Sequence, residues 1–167
     1  FYNILILYML WSKIIQPYLL NLACSTKPIR IQRGKIIPKA RGNVLEIGFG
    51  SGLNLTFYNK DNIKKIFALE PSLGMQKKSK NNIIKSKIDV EFLTSYAEDI
   101  PLDDKSIDTV VCTYTLCSIE KPELALLEIK RVLKKDGIFL IIEHVKAPDA
   151  KIIKFQNKLE PFWKIIA

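Results

Sequence analysis

The stretch Asn43–Asn54, NVLEIGFGSGLN, decides the fold of this chain. It opens with Val44, Leu45 and Ile47, an apolar and partly β-branched run that is typical of a short buried strand. Three glycines follow at alternate positions: Gly48, Gly50 and Gly52. Glycine adopts backbone angles that other residues resist, and it lets a ligand lie against the main chain. The stretch therefore predicts a strand followed by a loop that cradles part of a nucleotide.

The spacing of the glycines separates two classes of nucleotide cofactor. Dinucleotide sites carry G-x-G-x-x-G, whereas here the third glycine comes one residue early and Leu53 stands where that pattern has Gly or Ala. An acid, Glu46, precedes the first glycine by two positions. The spacing disfavours an NAD-dependent dehydrogenase, as does the lack of a Tyr-x-x-x-Lys set for hydride transfer. For the glycines alone, a tight turn that binds nothing stays an alternative.

A second acid follows the next predicted strand. The run Ile66–Leu69 ends in Glu70, which lies 24 residues after Glu46. In a doubly wound sheet this position faces the ribose of a bound nucleotide, and a carboxylate accepts hydrogen bonds from both ribose hydroxyls. Glu70 is therefore the predicted ribose ligand, and a solvated loop acid is the alternative.

Composition predicts one globular domain with an uneven charge. The chain has 167 residues, 48% of them hydrophobic, and a net charge of +9. Residues 1–45 hold seven basic residues and no acid, whereas the remainder holds 19 bases and 17 acids. Three cysteines without a C-x-x-C pair indicate reduced thiols in the cytoplasm, with neither a disulfide framework nor a zinc site. Because the chain begins with Phe1 and ends within an apolar helical pattern, we expect a fragment.

The amino-terminal part, residues 1–40, is interpreted separately from the domain at 41–167. Its apolar run Phe1–Trp11 is about half the ~20 residues that a membrane-spanning helix needs. Three interpretations stay open: a lid helix over the cofactor, an interfacial helix whose basic followers Lys27–Arg41 meet anionic lipid, and a core-packing helix with a solvated basic loop. Nucleic acid is disfavoured, because few aromatic residues stand among the bases.

The remaining elements are predicted from periodicity and capping residues. The first crossover helix is expected to begin within Leu53–Tyr58, and the second helix is expected from a Ser72 cap to about Lys87. A third helix is expected from Pro122 to Gly137, with an apolar stripe of Leu124, Leu127, Val132 and Leu133. A last helix is expected after an Asp149 cap. Strands are predicted at Val90–Leu93, Ile107–Cys112 and Ile138–Ile142, the last buried on both faces.

Polar residues at the strand ends are the remaining site candidates. Ala97 and Glu98 lie in a loop expected over the adenine, with an ordinary acidic turn as the alternative. Thr113 ends the fourth strand, at the edge of the sheet where cofactor and substrate are expected to meet. His144, the only histidine, ends the fifth strand and is the candidate general base, with a loop-ordering histidine as the alternative. Cys117 is interpreted as a small buried residue or as a thiol beside the substrate.

Three longer segments resemble one protein family. They are LNLACSTKPIRIQRGKIIPKARGNVLEIGFGSGLNLTFY, AEDIPLDDKSIDTVVCTYTLCSI and EIKRVLKKDGIFLIIEHVKAPD. They are similar to class I S-adenosylmethionine (SAM) dependent methyltransferases, in the ubiquinone/menaquinone-biosynthesis-like group and its branch related to mammalian thiol and lipid-associated enzymes. The resemblance implies an α/β, Rossmann-like, doubly wound sheet of five parallel strands in the order 3-2-1-4-5. On this resemblance, we expect the given sequence to lack the final antiparallel strand pair of the family.

The resemblance also implies a cofactor and a reaction. It assigns SAM contacts to Glu46, Gly48, Gly50, Gly52, Asn54, Glu70, Ala97, Glu98 and Thr113, and it calls for no metal. Relatives often carry Asp before the Ala-Glu pair, where this chain has Tyr96. The expected reaction is methyl transfer from SAM to a small apolar or membrane-derived acceptor: a lipid headgroup, a quinone-like ring or a thiol. A module that binds SAM without catalysis is the alternative, and residues 1–41 are the expected peripheral membrane contact.

Overall fold

A computed structural model of the chain describes Leu22, residues 24–143 and residues 157–158. Three of the predictions above lie outside the described residues. They concern the apolar run Phe1–Trp11, the candidate base His144 and the helix expected after Asp149.

A five-stranded parallel sheet forms the centre of the described structure. Its strands are β1 (Gly42–Ile47), β2 (Ile63–Leu69), β3 (Val90–Leu93), β4 (Ile107–Thr113) and β5 (Leu133–Ile142). They lie in the order β3-β2-β1-β4-β5, and each neighbouring pair is parallel. This confirms the predicted fold class and strand order. The winding reverses between β1 and β4, so a ligand crevice is expected at the carboxyl ends of these strands.

Three described α-helices cover the sheet: α1 (Lys27–Ile36), α2 (Leu73–Ser86) and α3 (Pro122–Val132). The predicted cap of α2 is present, because the Ser72 hydroxyl accepts a hydrogen bond from the Met75 N–H at 3.4 Å. Pro122 begins α3, as predicted for a residue that lacks an N–H. The predicted solvated basic loop from Lys27 is instead the helix α1.

The alternating side chains of β1 divide the core between the two faces of the sheet. Val44 packs in one cluster with Ile37, which follows α1. Leu45 and Ile47 pack in the other, together with residues of α3. Because side chains alternate along a strand, Glu46 points to the same face as Val44. An acid of the predicted site is therefore buried beneath α1, where it is 1% exposed.

The first crossover differs from its prediction. Leu53–Thr56 and Lys60–Asn62 form two short 3₁₀ turns that lead directly into β2, and no α-helix lies between them. Residues 53–62 include three Asn and two aromatic residues, which are weak helix formers, and the segment is too short to favour a helix. The glycine loop is therefore not followed by a helix amino terminus.

The predicted apolar stripe of α3 is wrong in half of its members. Leu124 and Leu127 are 44% and 62% exposed. The buried side chains are Ala125, Ile129 and Val132, which recur at helical spacing. The helix ends at Val132 rather than at Gly137, because β5 already begins at Leu133.

The fifth strand is less buried than expected. Leu140 is 8% exposed, but Ile141 on the opposite face is 43% exposed among the described residues. The strand lies at the edge of the described sheet, next to β4. Its apolar run therefore predicted the strand but not the burial of both faces.

Candidate functional site

The glycine loop makes a sharp left-handed turn at the carboxyl end of β1. Gly48, Gly50 and Gly52 have φ angles of 66°, 57° and 74°. At Gly48 a Cβ atom would lie 2.3 Å from the Thr115 hydroxyl oxygen, so only glycine fits there. The N–H of Gly48 donates to the Leu69 carbonyl at 3.0 Å. This bond fixes the loop against the end of β2.

Glu70 stands at the end of β2 and is oriented by backbone groups. One carboxylate oxygen accepts from the Gly50 N–H at 2.8 Å, and the other accepts from the Ser72 N–H at 2.8 Å. Each oxygen keeps a further lone pair, so Glu70 can still accept from two hydroxyls. Burial raises the pKa of Glu70, while the N–H groups of Ser72 and Gly50 lower it.

A cleft of about 600 Å³ opens along this edge of the sheet. Its walls include Gly48, Glu70, Ala97, Glu98, Thr115 and Leu124. Ala97 is buried, whereas Tyr96 beside it is 68% exposed at the same cleft. The carboxylate of Glu98 accepts from the Lys121 N–H at 3.2 Å, next to the start of α3. The cleft therefore runs from the glycine loop past the predicted ribose acid to the predicted adenine loop.

Behind the glycine loop, three predicted residues meet in a buried hydrogen-bond network. The Asn54 amide donates to a Glu46 oxygen at 2.9 Å and to the Thr113 hydroxyl at 3.1 Å. The other Glu46 oxygen accepts from the Tyr58 hydroxyl at 2.6 Å. Glu46, Asn54 and Thr113 are therefore in direct or shared contact, as one site requires. The contact of Tyr58 was not predicted, although Tyr58 stands in the family-like run that follows the glycines.

Glu46 titrates far from its ordinary range. Burial raises its pKa to about 7, although the hydrogen bonds from Tyr58 and Asn54 and the charge of Arg33 lower it. Burial and the neighbouring Glu46 carboxylate also raise the pKa of Tyr58. The Tyr58 hydroxyl therefore stays protonated at neutral pH and acts as a donor to Glu46.

Arg33 completes this network and was missed at the level of sequence. It lies in α1 but is only 5% exposed. Its Nη1 group donates to the Asn54 amide oxygen and, at 3.2 Å, to the Thr113 hydroxyl. The guanidinium carbon lies 5.4 Å from the centre of the Tyr114 ring. The sequence carried only a weak signal for Arg33. It falls within a segment that resembles the family, but it is one of seven basic residues between residues 1 and 45.

The loop after β4 is held by a carboxylate from the neighbouring strand. One oxygen of Glu143, which follows β5, accepts from the N–H groups of Thr115 and Leu116 at 2.9 and 3.0 Å. Tyr114 takes a left-handed conformation with φ 57°, a costly arrangement for a residue with a side chain. Its N–H donates to the Ile142 carbonyl at 2.7 Å. These bonds hold the Tyr114 ring beneath Arg33 and Thr115 against Gly48.

Cys117 lies on the surface rather than in the core. It is exposed, whereas Cys112 in β4 is buried. Partial burial and then the charge of Glu143 raise the pKa of the Cys117 thiol. The expectation that Cys117 is buried is therefore wrong, and the thiol stays protonated at neutral pH.

The structure thus brings the predicted residues into two groups. Gly48, Glu70, Ala97 and Glu98 line the cleft, with Gly50 bonded to Glu70. Glu46, Asn54 and Thr113 form the buried network. Gly52 serves the turn itself, because a Cβ there would meet Leu55 at 2.9 Å.

The family model for a methyltransferase domain matches residues 45–141, from β1 to β5. The chain belongs to the class I SAM-dependent methyltransferases. This confirms the resemblance. SAM is the cofactor of this family, so the site is compared below with what SAM requires.

Two curated relatives and one solved structure illustrate the range of this methyltransferase family and its fold. The chain is 35% identical to thiol S-methyltransferase TMT1B of Rattus norvegicus over 127 residues, which are 74% of this chain and 51% of the relative. It is 34% identical to the ubiquinone/menaquinone biosynthesis C-methyltransferase UbiE of Campylobacter jejuni over 106 residues, 63% of this chain and 41% of the relative. The chain therefore spans about half the length of these relatives or less.

The solved structure is that of the [4+2]-cyclase SpnF. It superimposes with a TM-score of 0.63 at 23% identity, covering 73% of this chain and 46% of the cyclase chain. This likeness concerns the fold alone, because proteins of one fold can catalyse different reactions.

The residues of the methyltransferase site fit SAM on three observations. The turn at Gly48 has no room for a side chain, Glu70 keeps acceptor capacity toward the cleft, and the Nε of Arg33 is buried without a hydrogen-bond partner in the described part of the chain. These are suited to a close main-chain contact, a ribose and an anionic group.

No helix within the described ranges has the length and apolarity needed to cross a membrane.

Proposed function

We propose that this chain is the cofactor-binding part of a methyltransferase that moves a methyl group from SAM to a small apolar acceptor, with a thiol as the first candidate. The observation that carries the proposal is Glu70, held by the amide of Gly50 at the lip of the cleft with acceptor capacity left over. A glycine turn and an oriented acid on adjacent strands are what a nucleoside with an attached amino acid requires.

The proposed cofactor contacts are divided between the two groups of the site. Glu70 binds the ribose, Ala97 and Glu98 flank the adenine, and the glycine turn approaches the amino-acid part. Glu46, Asn54 and Thr113 line or support that same end. The Glu98 carboxylate already accepts a hydrogen bond from the Lys121 N–H. The main contact with the adenine is therefore assigned to the backbone of the neighbouring Ala97.

When bound, SAM supplies a methyl group already activated by the positive sulfur. The chain's own residues therefore need only to orient the acceptor and exclude water. Ile119 and Leu124 give the cleft apolar wall area, and Thr115 and Ser118 add hydroxyls near the end of β4. A small apolar acceptor with one polar or ionisable atom suits this lining.

A thiol is favoured over a ring carbon for two reasons. The rat relative, at 35% identity, is named a thiol S-methyltransferase. A free thiol also has a pKa of about 8.5, so it ionises near neutral pH without a strong base. The quinone-like ring is the second candidate, because the Campylobacter relative is named a C-methyltransferase. His144 remains the proposed base for acceptors that need one.

Product analysis tests this proposal. The protein is incubated with SAM labelled in the methyl group and, separately, with an alkanethiol, a hydroquinone and phospholipid vesicles. We expect labelled thioether and an equal amount of S-adenosylhomocysteine with the thiol, and loss of both products in Glu70→Ala. Labelled ring product alone would replace the thiol by the second candidate.

A binding module without catalysis is the rival function. The fold and a cofactor cleft do not by themselves establish that a protein catalyses methyl transfer. Tight binding of S-adenosylhomocysteine, with no methylated product from any of the three acceptor classes, would favour the module and contradict methyl transfer.

A cytoplasmic location and a division between residues 1–40 and 41–167 also stay proposals. A third proposal is peripheral membrane contact through residues 1–41. The exposed side of α1 supports the contact: Lys27, Arg30 and Lys35 are exposed, and Ile31 is 50% exposed among them. Such a face suits an anionic lipid surface. We expect the protein to sediment with anionic vesicles but not with neutral ones, and added salt to release it. Failure to sediment with either kind of vesicle would contradict the contact.

A further inference from the structure

The helix α2 carries several lysines and no acid. Within the helix and at its carboxyl-terminal cap stand Lys77, Lys78, Lys80, Lys85 and Lys87. All of these side chains except that of Lys78 are exposed. The four exposed lysines form no ion pair with any acid in the described part of the chain. Their charge is therefore available to a partner outside the chain.

One stripe of α2 faces away from the sheet. The inward side of the helix is marked by Ser79, which is buried, and by Ile83, which packs against the core. Residues spaced alternately four and three apart lie along one face of a helix. On the outward side, this spacing gives a stripe of Leu73, Lys77, Lys80 and Ile84. Leu73 and Ile84 are 70% and 73% exposed, so aliphatic and basic side chains share the stripe.

The helix α1 lies on the same side of the sheet as α2. Ile36 at the end of α1 and Ile83 of α2 pack against the core cluster that contains Val44. Ala125 of α3 belongs to the cluster on the opposite side. The exposed bases of α1 and the half-exposed Ile31 therefore lie on the side of the sheet that also carries the outward stripe of α2.

The two sides of the sheet differ in charge. The helices α1 and α2 contain no acidic residue. On the other side, α3 and the turn before it balance acids against bases, with Glu120, Glu123 and Glu128 beside Lys121, Lys130 and Arg131. A surface that carries bases without acids attracts polyanions. The side of α1 and α2 is therefore the one suited to an anionic partner.

The uncharged residues of this side favour lipid over nucleic acid. Proteins that bind single-stranded nucleic acid stack bases on aromatic side chains, and neither α1 nor α2 contains an aromatic residue. Helices that lie on membranes instead place aliphatic side chains among lysines, which meet the charge of anionic headgroups. Ile31, Leu73 and Ile84 fit that pattern.

The amino end of α2 stands at the lip of the cleft. Pro71 lines the cleft, and the N–H of Ser72, the cap of α2, donates to Glu70 at 2.8 Å. Leu73, the first residue of the outward stripe, follows directly. A surface that rests on the stripe therefore lies beside the cleft.

We propose that the outward stripe of α2, together with the exposed side of α1, docks on an anionic lipid membrane. Lys77 and Lys80 meet the headgroup charges, while Leu73 and Ile84 enter the headgroup layer. The proposal adds a second helix to the contact suggested for residues 1–41. The docking does not depend on the proposed reaction. Only its use rests on that function, since it would give the cleft access to an acceptor dissolved in lipid.

The test places the same loss of charge on opposite sides of the sheet. Vesicles made of phosphatidylcholine and phosphatidylserine in equal parts are titrated with the wild type, with Lys77→Gln/Lys80→Gln and with Lys105→Gln/Lys130→Gln. The second pair is the matched control, because both of its lysines are exposed and Lys130 lies on α3. We expect the α2 pair to weaken binding by about 10- to 30-fold and the control pair by less than about threefold.

A third variant tests the aliphatic part of the stripe. We expect Ile84→Ser to weaken vesicle binding by about 3- to 10-fold, because an inserted apolar side chain is lost. The urea midpoint of all three variants should match that of the wild type, since only exposed side chains change. Their affinity for S-adenosylhomocysteine without vesicles should also be unchanged.

Several outcomes would overturn the proposal. Equal weakening in the two lysine pairs would mean that only net charge matters, and an unaffected α2 pair would confine any contact to residues 1–41. Binding of an RNA duplex without binding of vesicles would assign this side to nucleic acid. Self-association that Ile84→Ser abolishes, again without vesicle binding, would assign it to a second copy of the chain. Vesicle binding as expected, with no binding of S-adenosylhomocysteine, would support the docking and contradict only the cofactor site.

Discussion

The proposed ribose end and the proposed amino-acid end of the crevice are built in different ways. At the ribose end, Glu70 is held by the backbone N–H groups of Gly50 and Ser72, which lie within 20 residues of it. At the amino-acid end, side chains hold one another: Arg33 contacts Asn54 and Thr113, which are 21 and 80 residues away. The first end depends on a local turn, and the second depends on the packing of a distant helix.

This difference separates what a mutation at each end should do. Changes at the ribose end act through the conformation of the glycine loop. Changes at the amino-acid end act through buried charge and its titration. The two kinds of variant are expected to differ in pH dependence as well as in size.

The largest effect on stability is expected for Gly48→Ala. The new Cβ would lie 2.3 Å from the Thr115 hydroxyl oxygen at a φ of 66°, so both overlap and backbone strain oppose it. We expect a loss of about 2–5 kcal/mol in the free energy of unfolding, measured by urea denaturation. Gly50→Ala is the control: it shares the positive φ, but its Cβ would meet the flexible end of Met75 at 3.4 Å and the Gly48 carbonyl oxygen at an ordinary 3.8 Å. Equal losses in the two variants would contradict the role of the Thr115 contact.

The second prediction concerns the amino-acid end and uses the variant Glu46→Gln. Burial raises the pKa of Glu46 from 4.5 to about 7, so the folded state holds this proton more tightly than the unfolded chain. Stability linked to Glu46 is therefore fully present below pH 4.5 and is lost as the pH rises to about 7. Glutamine keeps the shape and abolishes the titration.

We expect Glu46→Gln to become more stable than the wild type as the pH rises from 5 to 7. The difference in the free energy of unfolding grows by at most about 3 kcal/mol and then stays constant. Thermal unfolding across this range measures it. Glu70→Gln is the comparison at the ribose end, where a gain of the same sign is expected because burial also raises the pKa of Glu70. A stability difference between Glu46→Gln and the wild type that does not change with pH would contradict the buried, proton-binding state of Glu46.

The same contrast explains what could be predicted from sequence. The glycine turn, the acid after β2 and the strand order follow from short-range patterns and a family resemblance, and the sheet confirmed them. Arg33 could not be singled out, because its burial depends on contacts across 21 and 80 residues and its helix carries other bases that are exposed.

Errors of prediction arose where local patterns were ambiguous. Leu124 and Leu127 suited a helical stripe, but the packed face of α3 is the one that carries Ala125 and Ile129. A crossover helix was expected to begin within Leu53–Tyr58, directly after the glycine loop. Its Asn-rich sequence and short length gave 3₁₀ turns instead.

The smallest effect is expected at Gly34, an exposed position within α1. A Cβ there would lie 3.7 Å from the Phe57 ring, which is an ordinary contact. Gly34→Ala should therefore stabilise the protein by up to about 1 kcal/mol through helix propensity. Urea denaturation measures the gain, and unchanged SAM affinity is expected in the same variant. A loss of stability would indicate that α1 packs more tightly than the structure describes.

The central claim is that the glycine loop and Glu70 form a SAM site. Calorimetric titration of the wild type and of Glu70→Ala with S-adenosylhomocysteine tests it most directly. We predict one site per chain in the wild type and affinity about 100-fold weaker in the variant, because hydrogen bonds to both ribose hydroxyls are lost. Absence of binding by the folded wild type, or equal affinity in Glu70→Ala, would contradict the claim.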